Sequence, residues 1–230
     1  MNAIKAVFTQ QYHDLTKNVS VTMMFILFPV LSVLMSTVMG DMDGFDSQAQ
    51  TAVFIAMLVG TAPLVTIANN VAEDREHSSL RFMVMAGVRP SQYLLGLGSF
   101  VLVMTALPAA FMTWHGGFEA DMIVRLVSTG VLGVLASAVL GAGIGIFAKN
   151  VQQASMIYTP FMMVLMFLPM LSMANETIER ISGFVFTTQL MGLASDPDAD
   201  LGRGLLIIAA NLAVLTAFFV AAYRKKGLRG

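Results

Sequence analysis

The 230 residues are 57% hydrophobic and only 12% charged, with a mean hydropathy of +0.76 and a formal net charge of −1. Soluble domains carry about 25% charged residues, so the composition excludes a soluble globular domain, and the near-zero charge excludes the dense basic face of a nucleic-acid-binding protein. The sequence contains no cysteine, which excludes disulfides, thiolate metal sites and cysteine nucleophiles. We therefore predict an all-α polytopic membrane protein with a single transmembrane domain over residues 1–230.

Long apolar runs predict six transmembrane helices. Each run has about 20 residues, the length needed to cross about 30 Å of hydrocarbon at about 1.5 Å per residue. The runs contain no Asp, Glu, Lys, Arg or His, so they offer no partner for a coupling proton or cation inside the membrane. The predicted spans are residues 19–40, 51–71, 93–113, 126–147, 155–174 and 204–223.

The basic residues in the connecting segments predict the orientation of the chain. With both termini in the cytoplasm, ten of the 13 Lys and Arg residues lie on the cytoplasmic side. The other three, Arg125, Arg180 and Arg203, lie on the outer side. This asymmetry follows the positive-inside rule, and we expect a multi-pass protein of the cytoplasmic (inner) membrane.

Residues 1–18, ahead of the first span, are typical of an amphipathic helix that lies on the inner membrane surface. Apolar side chains recur there with helical spacing, and the charged residues lie away from them. A disordered tail with chance spacing is the alternative. The apolar positions are Ile4, Phe8, Tyr12 and Leu15.

The connection between spans two and three, residues 72–92, predicts a short cytoplasmic helix. Ser78 or Ser79 can cap its start, Gly87 can end it in the left-handed conformation, and Pro90 prevents its continuation. A helix of about eight residues is not stable alone in water, so a membrane surface or another protein must cover its apolar residues. Those residues are Leu80, Phe82, Met83 and Met85.

The order of features in this connection resembles the transmembrane subunits of ABC-2 type exporters. An acidic cluster leaves the second span, a short Leu-bearing helix follows, and a Gly/Pro turn leads to Tyr93-Leu94-Leu95-Gly96 at the start of the third span. His77-Ser78-Ser79 stands where that family often has Gly-Thr. In the family this segment is a coupling helix that docks into a separate ATPase subunit. The resemblance therefore implies ATPase-coupling roles for Glu73, Arg75, Glu76, Ser79, Leu80, Phe82, Met83, Met85 and Gly87.

The resemblance also implies the assembly and its source of energy. Two permease copies, or this chain and a paralogue, would assemble in the membrane lipid with two ATPase subunits that bind ATP and Mg. In this chain no Lys follows a Gly, as a phosphate-binding loop requires, and no His lies in a predicted span to serve as a base. We therefore expect a permease subunit, not an enzyme, without catalytic residues, cofactor or metal site of its own. Two acidic stretches, 41–44 and 196–200, are expected to be solvated loops instead of calcium sites.

The fourth span carries a small residue at every fourth position. Such a stripe lets two helix backbones approach closely, either within one chain or across a dimer. The stripe consists of Gly133, Ser137, Gly141 and Gly145.

The fifth span is rich in methionine and contains Pro160 and Pro169. Methionine adapts to varied apolar shapes, which favours a lining for a hydrophobic or amphipathic substrate such as a drug, an antibiotic peptide or a lipid. In the resembling family the second and fifth spans border the path between two copies, which implies a substrate path along Phe54, Met57, Met162, Met163, Met166 and Met170. A core or lipid-facing helix that simply uses methionine is the alternative.

The outer segment, residues 175–203, contains a further predicted helix. Asn175 can cap it, acidic residues occupy its first turns, and it runs to about Met191. Its many apolar residues suit an interfacial or re-entrant helix, and the resembling family has such helices at the outer gate. The alternative function for the whole chain is a non-transporting membrane immunity or sensor protein that binds a peptide or partner.

Overall fold

The computed structural model describes residues 8–9, 19–40, 42, 46–77 and 90–226. Apart from turns, these residues are helical, and the described part of the chain contains no strand. The helices are α1 (Val19–Met39), α2 (Ser47–Glu76), α3 (Pro90–His115), α4 (Ala120–Phe147), α5 (Val151–Ala174), α6 (Glu176–Ser182), α7 (Phe186–Ser195) and α8 (Leu201–Lys226).

Six of these helices, α1–α5 and α8, are long and apolar enough to cross a membrane. The prediction of an all-helical multi-pass membrane protein is therefore confirmed. The helices extend past several predicted span ends because charged residues end an apolar run without ending a helix. The helix α2 also begins four residues before its predicted span. The Asp46 carboxylate caps it there by accepting from the Gln48 and Ala49 N–H groups at 2.9 and 3.0 Å.

The helix α2 is the centre of the bundle and packs against α1, α3, α4, α5 and α7. Every residue of its most apolar 18-residue stretch is buried, whereas the corresponding stretches of α5 and α8 are only 17% and 11% buried. The peripheral helices α5 and α8 therefore expose apolar side chains. Such an exposed apolar surface is expected in the hydrocarbon of a membrane and is unfavourable in water.

The small-residue stripe of α4 lies against α2 within the chain. A Cβ built on Gly141 would lie 2.5 Å from the Leu64 carbonyl oxygen, and one on Gly145 would lie 2.6 Å from the Val71 Cβ. One helical turn closer to the start of α4, the Ser137 Oγ donates to the Val59 carbonyl at 2.7 Å. Only residues without bulky side chains allow this approach of the two backbones.

Two helices, α6 and α7, occupy the region where the sequence predicts one. Asn175 caps α6 as predicted, its side chain accepting from Thr177 and Ile178, but α6 ends at Ser182. The helix α7 then packs into the bundle, with Phe186 and Leu190 almost fully buried. The prediction of a single helix from Asn175 to about Met191 is thus wrong, because the chain turns between Ser182 and Phe186.

The first turn of α7 and the turn that joins α6 to α7 lie beside the middle of the bundle. Thr187 lies against Gly60, which follows the start of α2 by 13 residues, or about 20 Å of helix. The Asn211 side-chain amide of α8 donates to the Phe184 carbonyl in this turn at 2.8 Å. We call α6, the α6–α7 turn and α7 the outer hairpin, after the side of the membrane on which the sequence predicts this segment.

Candidate functional site

The end of α2 that leads to residue 78 bonds to three other helices through three consecutive residues. The Tyr93 hydroxyl of α3 donates to the Asp74 carboxylate at 2.6 Å. The Arg75 guanidinium donates to the Ile146 carbonyl of α4 and to the Ala148 carbonyl just beyond it. The Glu76 carboxylate accepts from the backbone N–H of Val151, the first residue of α5, at 3.3 Å. We call Asp74, Arg75, Glu76 and these partners the α2 junction.

The charges in the α2 junction match the helix ends that they meet. Arg75 is half-buried and contacts the carbonyl end of α4, where a cation is favoured. Glu76 contacts the amide end of α5, where an anion is favoured. Since only residues 148–150 separate α4 from α5, two neighbouring side chains of α2 hold both sides of that short connection.

Consecutive residues on a helix point about 100° apart, which explains how three neighbours reach three helices. The sequence already singles out Arg75 and Glu76 as coupling residues but misses Asp74 and Tyr93. Adjacent charges at the end of the second predicted span are the available signal. Their partners lie far away in the sequence, which no spacing rule reveals.

Of the remaining predicted coupling residues, Glu73 is exposed on the last turn of α2, and its carbonyl is 3.0 Å from the His77 Nδ1. The other six, Ser79, Leu80, Phe82, Met83, Met85 and Gly87, lie outside the described residues. The bond between Asp74 and Tyr93 joins the two flanks of that segment, because α2 ends just before it and α3 begins just after it.

The predicted amphipathic helix at residues 1–18 also lies outside the described residues, apart from Phe8 and Thr9. The ring of Phe8 makes an edge-on contact with Phe100 of α3, with the ring centroids 5.5 Å apart. At this position the chain before α1 is therefore held against the bundle.

The residues of the predicted substrate path do not share one surface in the chain. Phe54 and Met57 of α2 are buried in the core, and Met166 packs against the same cluster. In contrast, Met163 and Met170 of α5 are 52% and 55% exposed. Met162 is half-buried in a second cluster. Only α5 thus offers predicted path residues to another molecule.

The outer hairpin has buried polar groups with few bonds. The hydroxyls of Thr187 and Thr188, in the first turn of α7, have no hydrogen-bond partner among the described residues. The residue that precedes α7 is Val185, whose side chain cannot cap the helix. Apolar packing and the two backbone carbonyls bound by Gln189 and Asn211 hold this hairpin.

Acidic residues of the outer loops are used locally. Asp196 accepts from the Asp198 N–H at 2.9 Å, and Asp200 accepts from the Arg203 N–H at 3.1 Å. Over the described ranges, no group of three His, Asp or Glu residues is placed to hold a metal ion. These carboxylates therefore shape turns and the start of α8.

No protein-family model and no curated protein matches the sequence.

Proposed function

We propose that this chain is the transmembrane permease subunit of an ATP-driven exporter of the ABC-2 type. A separate ATPase subunit, present in two copies, would supply the energy, and a second permease copy or a paralogue would complete the path. The cargo would be a hydrophobic or amphipathic compound, such as a drug, an antibiotic peptide or a lipid. Both termini and the segment 72–92 would face the cytoplasm.

The lack of charge inside the spans supports an external source of energy. In the described helices, Asp, Glu, Lys, Arg and His occur only within about two turns of a helix end. A carrier driven by protons needs an ionisable partner at membrane depth, and the described helices have none there. Work must then enter from the aqueous side, through a part of the chain that another protein can move.

The α2 junction is the observation that carries the proposal. A partner that binds residues 78–89 pulls on a segment whose two flanks are bonded to each other through Asp74 and Tyr93. Through Arg75 and Glu76, the same end of α2 is bonded to the ends of α4 and α5. Displacement of this segment would thus be passed to four spans together and not to one loop.

The exposed methionines of α5 support an adaptable apolar path. Met163, Phe167 and Met170 are each at least 45% exposed and recur with helical spacing on one face. In a dimer this face would meet its copy and accept varied apolar shapes. Phe54 and Met57 would support the path from beneath, since they are buried in the core of α2.

Copurification with measured ATP hydrolysis tests the proposal. The chain, extracted from its native membrane in mild detergent, is expected to bring an ATPase with it. The double variant Leu80→Asp, Met83→Asp should lose this ATPase. A matched control, Met42→Asp with Ile181→Asp, places the same charges on exposed residues of other segments and should retain it. Absence of an ATPase from the wild-type sample, or its full retention by the Leu80/Met83 variant, would contradict the proposal.

A further inference from the structure

An apolar furrow runs between α3 and α4, with α2 as its floor. The section near the α3–α4 turn has a volume of about 680 Å³, and Val59, Ala106 and Trp114 are among its lining residues. The section at the other end, near the α2 junction, has a volume of about 310 Å³ and includes Ile67 and Leu95. Leu102 lines both sections, so they form one continuous feature, the α3–α4 furrow.

Two glycines keep the furrow open. A Cβ built on Gly98 or on Gly130 would meet no other atom within 4 Å, and these residues line the two sections. The stripe glycines of α4 differ, because a Cβ on Gly141 would strike α2. Gly98 and Gly130 are therefore not needed for helix packing within the chain, and the space beside them is available to a ligand.

The section near the α2 junction matches one acyl chain of a membrane lipid in its length across the membrane and in its apolar lining. Its lining is almost entirely apolar, and its walls run from Leu94 to Leu102 on α3. Those eight steps of helix cover about 12 Å, against about 15 Å for half of a 30 Å hydrocarbon core. Its volume lies at the lower end of the range of about 300–1,000 Å³ for ligand sites.

The sequence of α8 is basic where the helix continues beyond this section. Phe219 of α8 lines this section, and α8 continues for only seven more residues, of which Arg224, Lys225 and Lys226 are consecutive cations. Five residues of helix, from Phe219 to Arg224, span about 7.5 Å, the distance from the acyl region to a head group at the interface. Three acidic residues lie at the same end: Asp74 and Glu76 are bonded to Tyr93 and Val151, and Glu73 is exposed. With Arg75 and Lys149, the cations at this end number five. This charge pattern favours an anionic head group over a zwitterionic one.

We propose that the section of the α3–α4 furrow beside the α2 junction binds one acyl chain of an anionic phospholipid, whose head group lies at the basic end of α8. The site is formed by this chain alone. It requires no ATPase and no second copy, and it stands or falls independently of the exporter function.

Lipid retention by the purified full-length chain tests this site. The chain is reconstituted into bilayers with equal parts of phosphatidylglycerol and phosphatidylcholine, transferred to detergent, and the retained lipid is counted by native mass spectrometry. We expect wild-type protein to retain one phosphatidylglycerol. Gly98→Leu fills the section and should reduce this retention by about tenfold or more. Gly143→Leu is the matched control, because a Cβ at Gly143 also meets no atom within 4 Å but that residue does not line the furrow.

Neutralising the basic end tests the head group without touching the apolar section. The triple variant Arg224→Gln, Lys225→Gln, Lys226→Gln should lose preference for phosphatidylglycerol over phosphatidylcholine, by about fivefold for each charge removed. This variant decides the issue if Gly98→Leu fails to fold. Equal retention of the two lipids by wild type, or retention by folded Gly98→Leu equal to that of Gly143→Leu, would overturn the site.

Discussion

The α2 junction and the outer hairpin differ in how they hold their polar groups. At the α2 junction, Asp74, Arg75 and Glu76 each bond to a group on a different helix or its end. In the outer hairpin, one side-chain bond among the described residues comes from another helix, from Asn211 to the Phe184 carbonyl, and the hydroxyls of Thr187 and Thr188 are buried without a hydrogen-bond partner there. Directional bonds fix relative positions, whereas apolar packing permits sliding. We infer that the α2 junction moves as a unit and that the outer hairpin is the part that can be displaced.

Among the variants that test this difference, Arg75→Ala should change the free energy of unfolding most. Arg75→Ala leaves carbonyls at the end of α4 without their charged donor, and a hydrogen bond to a charged group is worth about 1.5–3 kcal/mol. We expect the free energy of unfolding, measured by denaturant titration in mixed micelles, to fall by about 2–3 kcal/mol. Lys149→Ala removes an exposed cation nearby and should change it by less than about 0.5 kcal/mol. Equal effects of the two variants would show that the α2 junction is not a stabilising unit.

Overfilling the contact between α2 and the outer hairpin should have the next largest effect. A Cβ on Gly60 would lie 2.7 Å from the Thr187 Cγ2 and 3.3 Å from the Leu165 Cβ. Gly60→Ala should therefore push α7 away and cost about 1–3 kcal/mol, as overpacking typically does. The double variant Gly60→Ala, Thr187→Ser removes the obstructing methyl group and should recover most of that loss. No recovery would mean that the hairpin does not rest on Gly60.

Removing one hydroxyl from the α2 junction should cost less. Tyr93→Phe deletes the donor to Asp74, and this half-buried hydrogen bond to a carboxylate should contribute about 1.5 kcal/mol, the lower end of the range for bonds to charged groups. Tyr158→Phe, in α5, deletes a half-buried hydroxyl outside the α2 junction and serves as the control. The Tyr93 variant should be the less stable of the two in the same titration, and equal stability would contradict a role for the Tyr93–Asp74 bond.

In the outer hairpin, removal of a hydroxyl should raise stability or leave it unchanged instead of lowering it. Thr188→Val replaces an unpartnered buried hydroxyl by a methyl group, which removes a desolvation cost, so stability should be unchanged or rise by up to about 1 kcal/mol. Thr61→Val is the matched control, because the Thr61 hydroxyl donates to the Met57 carbonyl at 2.7 Å. Loss of stability in Thr188→Val as large as in Thr61→Val would indicate that the hairpin hydroxyl has a partner after all.

The sequence predicts the number and type of the spans because an apolar run of sufficient length has few alternatives to a membrane helix. It misplaces several helix ends, since Asp121 and Arg125 end an apolar run while α4 continues through them. The stripe at Gly141 and Gly145 predicts a close contact, but only the fold identifies α2 as the partner.

The candidate site is less accessible to prediction. Arg75 and Glu76 are found from their position after an apolar span, whereas their bonds join residues 71–75 positions apart. Phe54 and Met57 are predicted beside Met163 and Met170, but the structure buries the first pair and exposes the second. A helix that is apolar on all sides has the same sequence pattern in lipid as in a core, so periodicity does not distinguish these surroundings.

The most direct test asks whether nucleotide, acting through an ATPase, moves the outer hairpin. The chain has no cysteine, so Met42→Cys and Phe184→Cys, both at exposed positions, take spin labels without background. We predict that ATP shifts the distance distribution between these labels in the complex with the ATPase, and that Arg75→Ala abolishes the shift. An unchanged distribution in the complex, or the same shift in the isolated chain under a proton or sodium gradient, would contradict the account.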